Sequence, residues 1–109
     1  MLVYFSPDCD HCKEFAKHLI ANYAIVQNKQ VVMITYLPLP EVQQFDQQFK
    51  LSGHKNIKIG TEGFSFTVQA YYNVQHFPFL ALYDKNGNQK VQFKEEVPFE
   101  KIKAAIVKL

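Results

Sequence analysis

The only two thiols in the chain, Cys9 and Cys12, are separated by two residues in Ser6-Pro7-Asp8-Cys9-Asp10-His11-Cys12. A Cys-x-x-Cys pair can exchange electrons as a dithiol and disulfide, lock a loop as a static disulfide, or supply half of a metal site. A structural zinc site wants four Cys or His ligands, usually as two close pairs. The four histidines are His11, His18, His54 and His76, and only His11 lies close to a cysteine, inside the motif itself. Redox exchange is therefore the leading reading. An inert disulfide, and a metal carrier built from Cys9, Cys12 and His11 or His76, stand beside it as alternatives.

The flanking segments say how such a pair would be held. Leu2-Val3-Tyr4-Phe5 is apolar or aromatic throughout, as in a strand covered on both faces. After it, Phe15, Leu19 and Tyr23 recur at intervals of four with Ala16 and Ile20 beside them, which predicts a helix from Lys13 to about Tyr23. Asp8 is the candidate N-cap. Cys9 then falls at the helix N-terminus, where unpaired N–H groups and the helix dipole favour a thiolate. Cys12 follows one turn later on the same face, within reach of a disulfide. A protonated His11 would stabilise the Cys9 thiolate and an ionised Asp10 would oppose it, so these two are candidate tuning residues. Their sum leaves the direction of electron flow open, with reduction of a partner slightly favoured.

Further along, the β-branched run Val31 to Tyr36 predicts a second strand, and strand, helix, strand over this length implies a right-handed parallel crossover. Pro38 and Pro40 interrupt, and Val42, Phe45 and Phe49 give helical spacing over Glu41 to Phe49. Leu51 to Gly63 reads as turns, with Ile57-Lys58-Ile59 a possible short extended piece. Phe64 to Tyr72 fits a short helix. Val74-Gln75-His76-Phe77-Pro78 leads into the strand Phe79 to Tyr83, a hairpin turn at Asp84-Lys85-Asn86-Gly87, and a partner strand from Lys90 to Phe93. A proline is tolerated at the entry of such a strand. Pro98 suits the first turn of a last helix whose Phe99, Ile102, Ala105, Ile106 and Leu109 share one face.

A chain of 109 residues with 48% hydrophobic and 15% aromatic residues is expected to form a single ordered domain over residues 1–109. Twelve basic against ten acidic residues is too balanced for a nucleic-acid or membrane-surface binder. No apolar run approaches the ~18 residues of a membrane span. The chain opens directly on the strand feeding the cysteines, which leaves open whether residues upstream of Met1, and with them any targeting signal, are missing.

Taken together, Leu2-Val3-Tyr4-Phe5 before Cys9-Asp10-His11-Cys12, the run Tyr72 to Pro78 and the hairpin at Lys85-Asn86-Gly87 resemble the thioredoxin superfamily over nearly the whole chain. The Ser-Pro-Asp lead-in is most similar to TlpA-like, extracytoplasmic members. The resemblance implies an α/β thioredoxin-like fold, with a four-stranded mixed central sheet flanked by helices on both faces. It also implies a cis peptide at Pro78 lying against the cysteines, and a substrate groove at His76, Phe77 and Pro78 in which an extended chain pairs with backbone at Phe77. Alternation along the chain puts Phe77, rather than Phe79, at the surface. Cys9 would be the attacking thiolate and Cys12 the resolving thiol, acting on protein thiols or disulfides and served by an upstream redox partner, with no cofactor and as a monomer. A periplasmic or extracytoplasmic setting goes with the subfamily. The sequence departs from the family at three places: Asp8 replaces the usual tryptophan, Tyr4 stands where a buried acid is customary, and the initial strand and helix of full thioredoxins are absent. Without that acid, proton transfer at Cys12 falls to water, Tyr4 or another group. A second class of reading, a non-catalytic thioredoxin-like binding module, uses the same groove with the cysteines merely locking the loop.

Overall fold

Leu2–Tyr4 forms strand β1 at the centre of a sheet in this computed structural model, which describes residues 1–109. Two neighbours flank it. On one side β2 (Val31–Thr35) runs parallel, with Val3 opposite Met33; on the other β4 (Phe79–Tyr83) runs antiparallel, with Val3 opposite Leu80. The sheet continues outward through β3 (Ile57–Thr61), parallel to β2, and β5 (Gln89–Phe93), antiparallel to β4, giving the order β3-β2-β1-β4-β5.

The sheet thus has five strands, one more than the four expected. The additional strand is β3, paired with β2 from Val31–Ile57 through Thr35–Thr61. Its sequence, Ile-Lys-Ile-Gly-Thr, carries only two apolar side chains, because an edge strand needs one buried face and its backbone is satisfied from a single side.

Helices cover both faces unequally. Helix α1 (Asp10–Ala21), α2 (Leu39–Phe49) and α4 (Phe99–Val107) pack on one face, where Phe15, Leu19, Phe45, Ile102 and Ile106 meet Val3, Phe5, Met33 and Leu80. Burying an aliphatic or aromatic side chain of this size contributes about 1.5–3 kcal/mol. The other face is covered by α3 (Thr67–Tyr72), whose Val68 and Tyr72 pack against the smaller cluster of Tyr4, Val74, Phe79 and Ala81.

Two helix starts differ from expectation. α2 begins at Leu39, because Pro40 sits in the first turn, where its missing N–H would have no partner anyway. α1 begins at Asp10, three residues before Lys13, because Cys9 itself takes the N-cap position, with φ −90° and ψ 123°. Asp8 does not cap; its N–H donates to Ser6 Oγ at 3.4 Å, and no side chain closes the α1 N-terminus.

Candidate active site

Strand β1 and helix α1 together present the cysteines. The chain leaves β1 at Tyr4, turns through Ser6 and Pro7, and re-enters regular structure at Cys9, whose carbonyl accepts hydrogen bonds from the N–H groups of Cys12 and Lys13, both at 3.1 Å. That turn puts Cys9 half-exposed at the α1 N-terminus and Cys12 one turn in, where it is 1% exposed and packed in the main core. The two side chains are within hydrogen-bonding reach of each other. Burial pushes the Cys12 thiol well above its ordinary range; the Ser6 N–H, 3.5 Å from Cys12 Sγ, pulls weakly the other way, and the Cys9 side chain adds to the rise. Cys12 is therefore a neutral thiol across the physiological range, sheltered behind Cys9.

The loop entering β4 supplies the facing wall, from 68 residues further along the chain. Cys9 Sγ donates to the Phe77 carbonyl at 3.7 Å, and the peptide bond between Phe77 and Pro78 is cis. Phe77 is half-buried, its ring stacked on Tyr4 at 6.0 Å and on Tyr36 at 6.2 Å between centroids, whereas Phe79 is 1% exposed and belongs to the core. His76 is exposed just before Phe77.

The tuning candidates lie on the rim. Asp10 is the exposed first residue of α1. The exposed His11 places Nδ1 3.1 Å from Glu96 Oε1, in the loop ahead of α4. His11, Pro78 and Glu96 also line a pocket of about 260 Å³ that runs between α1 and the start of α4. No group of three or more His, Cys, Asp or Glu side chains lies close enough together to hold a metal ion.

Behind Tyr4 lies a polar partner that no local sequence pattern signals, Glu62. The Tyr4 hydroxyl, on a fully buried side chain, donates to Glu62 Oε2 at 2.7 Å, and the Gln69 side-chain oxygen stands 3.4 Å away. Glu62 also accepts from the backbone N–H groups of Val68 at 2.7 Å and Gln69 at 3.1 Å, which fastens it to the first turn of α3. Partial burial pushes this carboxyl up, but the Val68 N–H, the Tyr4 hydroxyl and the Gln69 N–H outweigh it and hold the group below the usual carboxylate range. Burial, followed by the neighbouring Glu62, holds the Tyr4 hydroxyl protonated. The place where an acid is customary thus has a tyrosine with a carboxylate behind it.

Comparison with known families matches a thioredoxin-like domain model to residues 1–109. The chain belongs to the thioredoxin-like domain family. No curated protein sequence matches it. Among solved structures, a secreted Mycobacterium tuberculosis disulfide oxidoreductase, described as homologous to E. coli DsbE, superposes with a TM-score of 0.82 at 19% identity, over 99% of this chain and 79% of that one. DsbF of M. tuberculosis gives 0.80 at 18% identity, over 98% and 77% of the two chains. A putative thiol:disulfide interchange protein DsbE from Chlorobium tepidum gives 0.70 at 20% identity, over 96% and 77%. These structures share the thioredoxin-like fold with this chain, whose mixed sheet is five-stranded and flanked by helices.

Proposed function

We propose that this thioredoxin-like domain is a thiol-disulfide oxidoreductase working through Cys9 and Cys12 on cysteines of partner polypeptides. The observation that carries the reading is the placement of Cys9 Sγ, half-exposed and 3.7 Å from the Phe77 carbonyl, with Cys12 buried directly behind it.

In the reducing direction, the Cys9 thiolate attacks one sulfur of a partner disulfide. That S–S bond breaks, a Cys9–partner bond forms, and the released partner thiolate takes up a proton. Cys12 then loses its proton, attacks Cys9 Sγ and expels the second partner thiolate, which is protonated in turn. The partner has taken two electrons from the pair and two protons, one balancing the proton Cys12 released and one drawn from solvent because Cys9 entered as a thiolate, and the protein holds a Cys9–Cys12 disulfide. An upstream dithiol protein restores the reduced pair by the same steps. An extended partner segment pairs with backbone at Phe77 beside Pro78, and exposed His76 flanks that edge.

Reduction is the favoured direction because His11 faces Glu96 at 3.1 Å. An imidazolium whose charge is shared with a carboxylate supports a neighbouring thiolate less than a free one does, and weaker thiolate support makes the pair less oxidising. Equilibration of the pair against glutathione tests the direction: a potential near about −270 mV fits a reductant, and one near −120 mV reverses the assignment.

The exchange reading itself is tested with insulin disulfides. Cys9→Ser should abolish turnover, and Cys12→Ser should accumulate a mixed disulfide through Cys9. Turnover that survives Cys9→Ser would sink the enzyme reading and leave a binding module.

A further inference from the structure

A chain of contacts runs from the α3 N-terminus to the reactive sulfur, and no step of the exchange above uses its first half. Glu62 is fixed by two backbone N–H groups of α3 and receives the Tyr4 hydroxyl at 2.7 Å. The Tyr4 ring stacks on Phe77 at 6.0 Å with 19° between planes. The Phe77 carbonyl receives Cys9 Sγ. Tyr4 is fully buried, and of the two acceptors near its hydroxyl Glu62 at 2.7 Å is much the closer, Gln69 Oε1 standing 3.4 Å away, so losing Glu62 would exchange a short, charge-assisted bond for a long one.

We propose that Tyr4, held by Glu62, is a positioning residue that sets the backbone edge at Phe77 on which a polypeptide substrate docks. The inference rests on the exchange reading of Cys9 and Cys12 and adds to it the device that fixes substrate orientation. Tyr4 touches neither sulfur. It acts through Phe77: the ring supports the side chain of the residue whose carbonyl lies against Cys9, and Tyr36 backs the same ring at 6.2 Å. A small disulfide needs only access to Cys9. A polypeptide disulfide must also lie along the Phe77 edge, and a displacement of even about 1 Å there misaligns the attacked sulfur.

The prediction is a split between substrates. Tyr4→Phe keeps the ring and deletes the hydroxyl; it should lower kcat/KM for a peptide disulfide roughly tenfold, chiefly through KM, while the rate constant for 2-hydroxyethyl disulfide stays within about twofold. Glu62→Ala should reproduce the split, and the double variant should be no worse than Glu62→Ala alone, because both changes break one linkage. Glu62→Gln, whose amide oxygen still accepts from Tyr4, should recover most of the peptide rate. Equal losses on both substrates would mean a purely structural role and overturn the proposal, as would an unchanged peptide rate in Tyr4→Phe. If the wild-type protein reacts with neither disulfide, the exchange reading falls, a result distinct from either of those.

Discussion

Burial keeps the proton on Cys12, and that single residue gives the reduced protein a pH signature. Its pKa is raised in the folded state relative to an exposed thiol, chiefly by desolvation. The associated stability is therefore complete below the unfolded thiol value of about 8.5 and is lost as pH climbs above it, by up to ~1.4 kcal/mol per pH unit. Urea denaturation of the reduced protein between pH 7.5 and 9.5 should show that decline, and Cys12→Ala should flatten it; equal slopes in the two proteins would contradict the assignment. Tyr4, also raised by burial, adds its share only above about pH 10, outside that window. At this scale the sequence was informative about the cysteines and silent about Glu62. Cys9 and Cys12 announce themselves by spacing, whereas Glu62 and Tyr4 are 58 residues apart and neither sits in a local pattern that signals the other.

At the scale of elements, the turn between β4 and β5 shows local chemistry legible in advance. Asp84 accepts from the N–H groups of Asn86 and Asn88, each at 2.9 Å, and Gly87 takes a φ of 83°, which L-residues avoid. Gly87→Ala should cost about 1–2 kcal/mol, read as a lower urea midpoint with unchanged slope. The α1 start was less legible, because the cap is chosen by where the chain leaves β1 and not by which side chain caps best. Asp8 is the better capping type, yet Cys9 occupies the position. Strand β3 was obscured for another reason. Ile57 and Ile59 alternate as a strand should, but Gly60 and only two apolar residues resemble a loop until β2 is present to pair with.

The whole molecule divides its core unevenly: sixteen buried residues lie on the side of α1, α2 and α4, and four on the side of α3. Cavity costs should follow that division. Leu19→Ala, in the larger cluster and fully buried, is expected to cost about 2–5 kcal/mol, a large part of the ~5–15 kcal/mol that holds a domain folded. Phe64→Ser, at a side chain 82% exposed, should stay within about 0.5 kcal/mol; chemical denaturation of both variants compares them directly. The order of apolar runs announced the individual elements, the parallel crossover and the last hairpin, since each run had the length and period of one element, whereas the mixed sheet between helices was what the resemblance to the thioredoxin superfamily implied.

The central strand has only three residues, and its two neighbours come from about the first third and the last third of the chain, through Val32 and Ala81 opposite Leu2. Pairings this distant in sequence close late and slow the search for the native state. Until β4 arrives, Cys9 has no Phe77 carbonyl beside it. An immature chain would then carry its half-exposed sulfur without the wall that selects its reaction partners, open to capture by any passing oxidant or stray thiol.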